Sequence, residues 1–128
     1  MLNKPDIQEA CPDEIKAFLL ELVQEELKNI PVGMPCRRRD LCEAILAVNR
    51  DCGERRRIRD AACEVLKGWK AQASQIAALE KLGFTVVKGG KHYKLRRHGL
   101  SYFKVLSVSP SDKRIGANSV TEFLRLFF

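Results

Sequence analysis

The chain has 128 residues, 45% of them hydrophobic, enough for one ordinary domain or two very small ones and too apolar for a disordered chain. No stretch is long and apolar enough to span a bilayer, and no apolar run follows a basic one at the start, so neither membrane insertion nor export is expected. The net charge is +7, a balance that favours acidic partners, and the five cysteines (Cys11, Cys36, Cys42, Cys52, Cys63) form no C-x-x-C pair and lie far from His92 and His98, so reduced thiols in a cytoplasm are expected, with no metal and no cofactor.

Pro12 is placed to open a helix, where a missing N–H costs nothing. The spacing of Ile15, Phe18, Leu19, Leu22 and Val23 predicts a helix to about Lys28 with that stripe inward and Glu14, Glu21, Glu25 and Glu26 outward. Ile30-Pro31-Val32-Gly33 stops it. Asp40 is a candidate N-cap for a second helix through Val48, with Leu41, Ile45 and Val48 inward. After a turn at Asn49–Gly53, a third helix runs from about Glu54 to Gly68, with a core stripe of Ile58, Ala61, Ala62, Val65, Leu66 and Trp69.

Ser74 can cap a fourth helix, Gln75–Leu82, with Ile76, Leu79 and Leu82 inward and Gly83 as its stop. The period then changes from helical to alternating. Phe84–Lys88 reads as a strand, Gly89-Gly90 as a hairpin turn, His92–Arg97 as a second strand, His98-Gly99 as another tight turn and Ser101–Val108 as a third strand. A loop, Ser109–Ala117, leads to a last helix in which Ser119 and Glu122 have capping-box spacing and Val120, Phe123, Leu124 and Phe127 form the buried face. The fold class is therefore α+β: a three-helix region over 1–73, then an α-β-β-β-α unit over 74–128 whose antiparallel three-stranded sheet carries both helices on one face.

Charge is distributed unevenly along the chain. Residues 1–75 hold 13 Lys/Arg and 13 Asp/Glu, whereas residues 76–128 hold ten Lys/Arg against Glu80, Asp112 and Glu122, so the whole excess lies in the second part. A concentrated positive field of this kind attracts polyanions such as nucleic acid. Alternation along the second strand sends Tyr93 and Leu95 one way and His92, Lys94 and Arg96 the other, onto the open face of the sheet. Histidine titrates near neutral pH and can move the protons of metal-free RNA cleavage, while lysine and arginine stabilise the charge on the phosphorus. Lys91, just before this strand, and Arg97, at its end, are further phosphate-holding candidates, with Lys113 and Arg114 as outer contacts ahead of the last helix. His98, beside Gly99, reads as a turn residue.

At these positions the sequence resembles a family. The run Leu79-Glu80-Lys81-Leu82-Gly83-Phe84, then Lys88-Gly89-Gly90-Lys91-His92-Tyr93, then Ile115-Gly116 before a last helix, is similar to the HicA-type toxins. The resemblance covers about residues 74–128. It implies a double-stranded-RNA-binding-domain-like core, metal-independent cleavage of messenger RNA, His92 as the catalytic residue and an antitoxin protein as partner. More narrowly, His92-Tyr93-Lys94-Leu95 with Pro110-Ser111-Asp112, Arg114, Gly116 and Asn118 resembles bacterial proteins that share this core without an established activity.

The expected function is nucleic-acid binding, RNA favoured, with endoribonuclease activity as the narrower form. Two alternatives stand beside it. Arg55, Arg56, Arg57 and Arg59 on the third helix, after the turn ending at Gly53, have the spacing of a helix-turn-helix DNA-binding regulator. The acidic outer face of the first helix could instead cover the basic sheet or pair two chains, making this a non-catalytic interaction protein or homodimer.

Overall fold

The computed structural model describes residues 3, 5–90, 92–107 and 113–128, and side chains among them outside 107 and 113–119. It is α+β, with elements in the order α1 (Glu14–Asn29), α2 (Arg37–Val48), α3 (Glu54–Lys67), α4 (Ala73–Lys81), β1 (Phe84–Gly89), β2 (His92–Arg97), β3 (Phe103–Ser107) and α5 (Lys113–Phe127). The chain divides into two compact units, 1–55 and 56–128. The division falls inside α3, ahead of the expected boundary at 73. Among the described residues no helix is long and apolar enough to cross a membrane.

In the first unit α1 and α2 pack against each other. Pro31 and Gly33, the latter at φ +78°, break the chain between them. Arg39 ties this connection down by donating to the carbonyls of Pro31 at 2.7 Å and Met34 at 3.1 Å. On these helices the buried side chains are Ala17 and Leu20 of α1 and Cys42 of α2, with Cys11, Ile30 and Arg55 also buried in this unit. This differs from the expected stripes, because Phe18, Leu19, Leu22, Leu41, Ile45 and Val48 are all exposed. Both helices carry apolar residues on more than one face, so spacing alone did not select the packed one. α2 also starts earlier than Asp40, at Arg37 with Cys36 as N-cap. Leu19, Leu22, Val23 and Ile45 line a groove of about 580 Å³.

The second unit takes the rest of α3, whose stripe is inward as spacing predicts: Ile58, Ala62, Leu66 and Trp69 are buried. Trp69 meets Tyr93 edge-on, with ring centroids 6.1 Å apart. α4 is capped by Gln72 and Gln75, which bond reciprocally to each other's backbone, so it begins before the expected Ser74. Gly83, at φ +94°, ends it in the left-handed conformation that a side chain disfavours. The sheet order is β1-β2-β3, antiparallel throughout. Gly90, at φ +62°, turns the first hairpin, and the Leu100 amide donating to the Arg97 carbonyl closes the second turn.

α4 lies against β1 and α5 against β3. The covered face of the sheet buries Phe84, Leu95 and Leu106, with Leu79 of α4 and Phe123 and Phe127 of α5. Phe84, Phe123 and Phe127 form a ring cluster with centroids 5.4 to 5.7 Å apart. α5 starts at Lys113, so Ser119 stands inside the helix and cannot be its cap, and the expected loop is helical from Lys113 onward. The remainder of that loop, with Pro110, Ser111 and Asp112, and the expected end of β3 at Val108 lie outside the described residues.

Candidate nucleic-acid interface

Register builds the interface one cross-strand row at a time. Thr85, Arg96 and Phe103 stand opposite one another, then Val87, Lys94 and Val105, and His92 pairs with Gly89 and Ser107. Alternation sends these rows away from α4 and α5. His92, Lys94 and Arg96 are exposed, and so are Phe103 (43%), Val105 (49%) and Val87 (53%). The expected grouping of His92, Lys94 and Arg96 on one exposed face is thus what the backbone produces.

The two cations are seated on an aromatic ring. Lys94 Nζ lies 4.9 Å and Arg96 Cζ 5.4 Å from the centroid of Phe103, within cation–π range. Neither forms an ion pair with a carboxylate among the described residues. At the end of the face, His98 Nε2 is 3.0 Å from Thr85 Oγ1, and the His98 amide donates to the Gly83 carbonyl, so His98 fastens the turn to β1.

Other sequence candidates fall elsewhere. Arg97 has the same parity as Leu95 and faces the helices. It is 3% exposed, donates from Nη1 to the Phe127 carbonyl at 2.8 Å and lies 4.4 Å from the Phe128 ring centroid. Its burial removes it from the phosphate-holding set. Lys91 lies outside the described residues, and so do the side chains of Lys113 and Arg114, whose backbone forms the first turn of α5. Of the α3 arginines, Arg55 is buried, paired with Glu21 and stacked 5.6 Å from the Phe18 ring centroid, while Arg59 pairs with Asp60. Only Arg56 and Arg57 of that group are exposed. On α1, Glu25 pairs with Lys28 and Glu26 with Arg38, so its acidic face is partly neutralised within its own unit.

Sequence reasoning missed Phe103, Val87 and Val105. The signal was available in the hairpin register, since a turn at Gly89-Gly90 with His92 opposite Gly89 places Val87 opposite Lys94. No group of three or more His, Cys, Asp or Glu side chains is arranged for a metal ion among the described residues. Burial, followed by Asp60, pushes the Cys63 thiol up, which disfavours the nucleophilic thiolate. Compared with family models, curated proteins and solved structures, the chain matches none.

Proposed function

We propose that the second unit binds nucleic acid, RNA by preference, through the open face of its sheet. One observation carries this reading: Lys94 and Arg96 stand exposed over Phe103 on a face that holds no carboxylate partner for them among the described residues. Of the sheet's other described cations, Lys104 is engaged by Glu122 and Arg97 by the Phe127 carbonyl, while Lys88 of β1 is exposed and shares the parity of Phe84. Cations left without counter-charge on a rigid surface suit a polyanionic backbone, whose bound counterions they release. The concentration of positive charge in residues 76–128 supports the same reading.

Fluorescence anisotropy of the full chain with a labelled RNA tests it. Affinity should fall steeply as salt rises, and the Lys94→Glu, Arg96→Glu double variant should bind weakly with a log–log salt slope reduced by roughly one to two units. Salt-independent affinity, or a charge-reversed variant that binds like the parent, rejects the reading.

The narrower form is a metal-independent endoribonuclease. It rests on the resemblance at residues 74–128 and on the exposure of His92 on the face that carries Lys94. His92 would act as general base or acid on the 2′-hydroxyl or leaving oxygen, with Lys94 and Arg96 holding phosphate. His92→Ala should slow cleavage of a messenger RNA in chelator by about 10²–10⁴-fold, the usual range for a lost proton-transfer group. Cleavage that survives the substitution removes His92 from the mechanism without touching the binding proposal.

A further inference from the structure

We infer that this face takes single-stranded nucleic acid, with an unpaired base stacked on Phe103 and the adjoining phosphates held by Lys94 and Arg96. The inference rests on the proposed binding of nucleic acid and adds the substrate class.

The composition of the face points this way. A duplex shows a protein its charged backbone and buries the planes of its bases, so a surface built for it needs cations and polar groups. Here the same rows alternate cations with apolar side chains: Arg96 beside Phe103, and Lys94 between Val87 and Val105. About half the surface of each of these three apolar residues remains in solvent, at 43% for Phe103, 49% for Val105 and 53% for Val87. Against a duplex backbone they would meet only sugar and phosphate and bury less apolar surface. Against an unstacked base they bury apolar surface, because every base has a π-face.

Geometry matches one nucleotide to one cluster. A nucleotide joins an aromatic plane to an anionic group through a single sugar. Phe103 with Lys94 at 4.9 Å and Arg96 at 5.4 Å joins an aromatic ring to two cationic groups over a comparable reach. The contacts also orient the ring, since its two charged neighbours are carried by the central strand of the sheet. Binding moves the flexible cation heads to phosphate and leaves the ring to the base, while Val87 and Val105 continue the apolar track across the strands.

The test compares a labelled single-stranded oligoribonucleotide with its own duplex, using the full chain and anisotropy. The single strand should bind more tightly. Phe103→Leu keeps an apolar side chain but removes the ring, and it should lower single-strand affinity roughly five- to hundredfold, bringing the two affinities together. Phe103→Tyr should keep the preference. In Phe103→Trp, titration with the unlabelled single strand should quench indole emission beyond the change given by parent protein, whose Trp69 is buried. A parent chain that binds duplex as well as single strand, with Phe103→Leu retaining its affinity, overturns the inference and leaves nucleic-acid binding standing. Failure to bind either form removes the underlying proposal as well. A shift of oligomeric state in Phe103→Leu, read by light scattering, overturns it in favour of a protein interface on this face.

Discussion

At the scale of single residues, Arg96 and Arg97 show how one step along a strand decides between surface and core. Both are arginines of β2, yet Arg96 stands over an exposed ring and Arg97 is sealed against the end of α5. Arg97 gives the last helical turn a charge-assisted donor for the Phe127 carbonyl and a cationic plane for Phe128. Losing it removes a hydrogen bond from a charged group together with the packing of its stem. Arg97→Ala should therefore cost about 2–3 kcal/mol in urea unfolding, whereas Arg96→Ala should stay within about 0.5 kcal/mol. The difference was legible in the sequence, because Arg97 shares parity with Tyr93 and Leu95. What obscured it was its charge, which suggests a surface position until a buried acceptor is known. That acceptor is a backbone carbonyl thirty positions away, which no local pattern reveals.

At the scale of elements, one ion pair fastens β3 to α5. Lys104 sits on the covered face at 8% exposure, and its Nζ donates to Glu122 Oε2 at 2.6 Å. The Lys104 hydrogen bond, then its charge, holds the Glu122 carboxyl below its ordinary value of 4.5 against opposing desolvation, with a smaller lowering from Arg125. A carboxyl lowered on folding stabilises the fold above its unfolded value and loses that contribution as pH falls through the folded one. Glu122→Gln should thus be less stable than the parent near neutrality, and the gap should close on the acid side of 4.5. Urea midpoints measured across that range check both the sign and the window. Strands and turns were the elements most readable from sequence, since Gly83, Gly90 and Gly99 occupy left-handed positions and fix where each segment ends. The last helix was less readable, because Ser119 and Glu122 imitate a cap within a helix that starts at Lys113.

At the scale of the molecule, the excess charge is confined to one part of the chain, while exposed apolar side chains occur in both units. The excess positive charge falls within residues 76–128. Exposed apolar side chains of the first unit lie along α1 and α2, where Leu19, Leu22 and Ile45 border the groove of about 580 Å³. Composition made the charge distribution plain and left the exposed apolar faces hidden. Helical spacing marked Leu19 and Ile45 as core because hydrophobicity reports a tendency to be buried and does not choose between two available faces. Two of the residues buried instead, Ala17 and Cys42, are small and carry little weight in such a pattern, and Leu20 is buried outside the expected stripe. The α-β-β-β-α order and the grouping of His92, Lys94 and Arg96 were thus foreseeable, while Phe103 and Val105 beside those cations emerged only from the pairing of β3.

The order of that sheet bears on how tightly the face can hold a ligand. β2 is bonded along both edges, to β1 and to β3. Its backbone therefore fluctuates less than a margin that frays on one side. His92, Lys94 and Arg96 all project from this strand. For the proposed nucleic-acid ligand, these anchoring points would be set in advance, leaving mainly side-chain freedom to restrict on association.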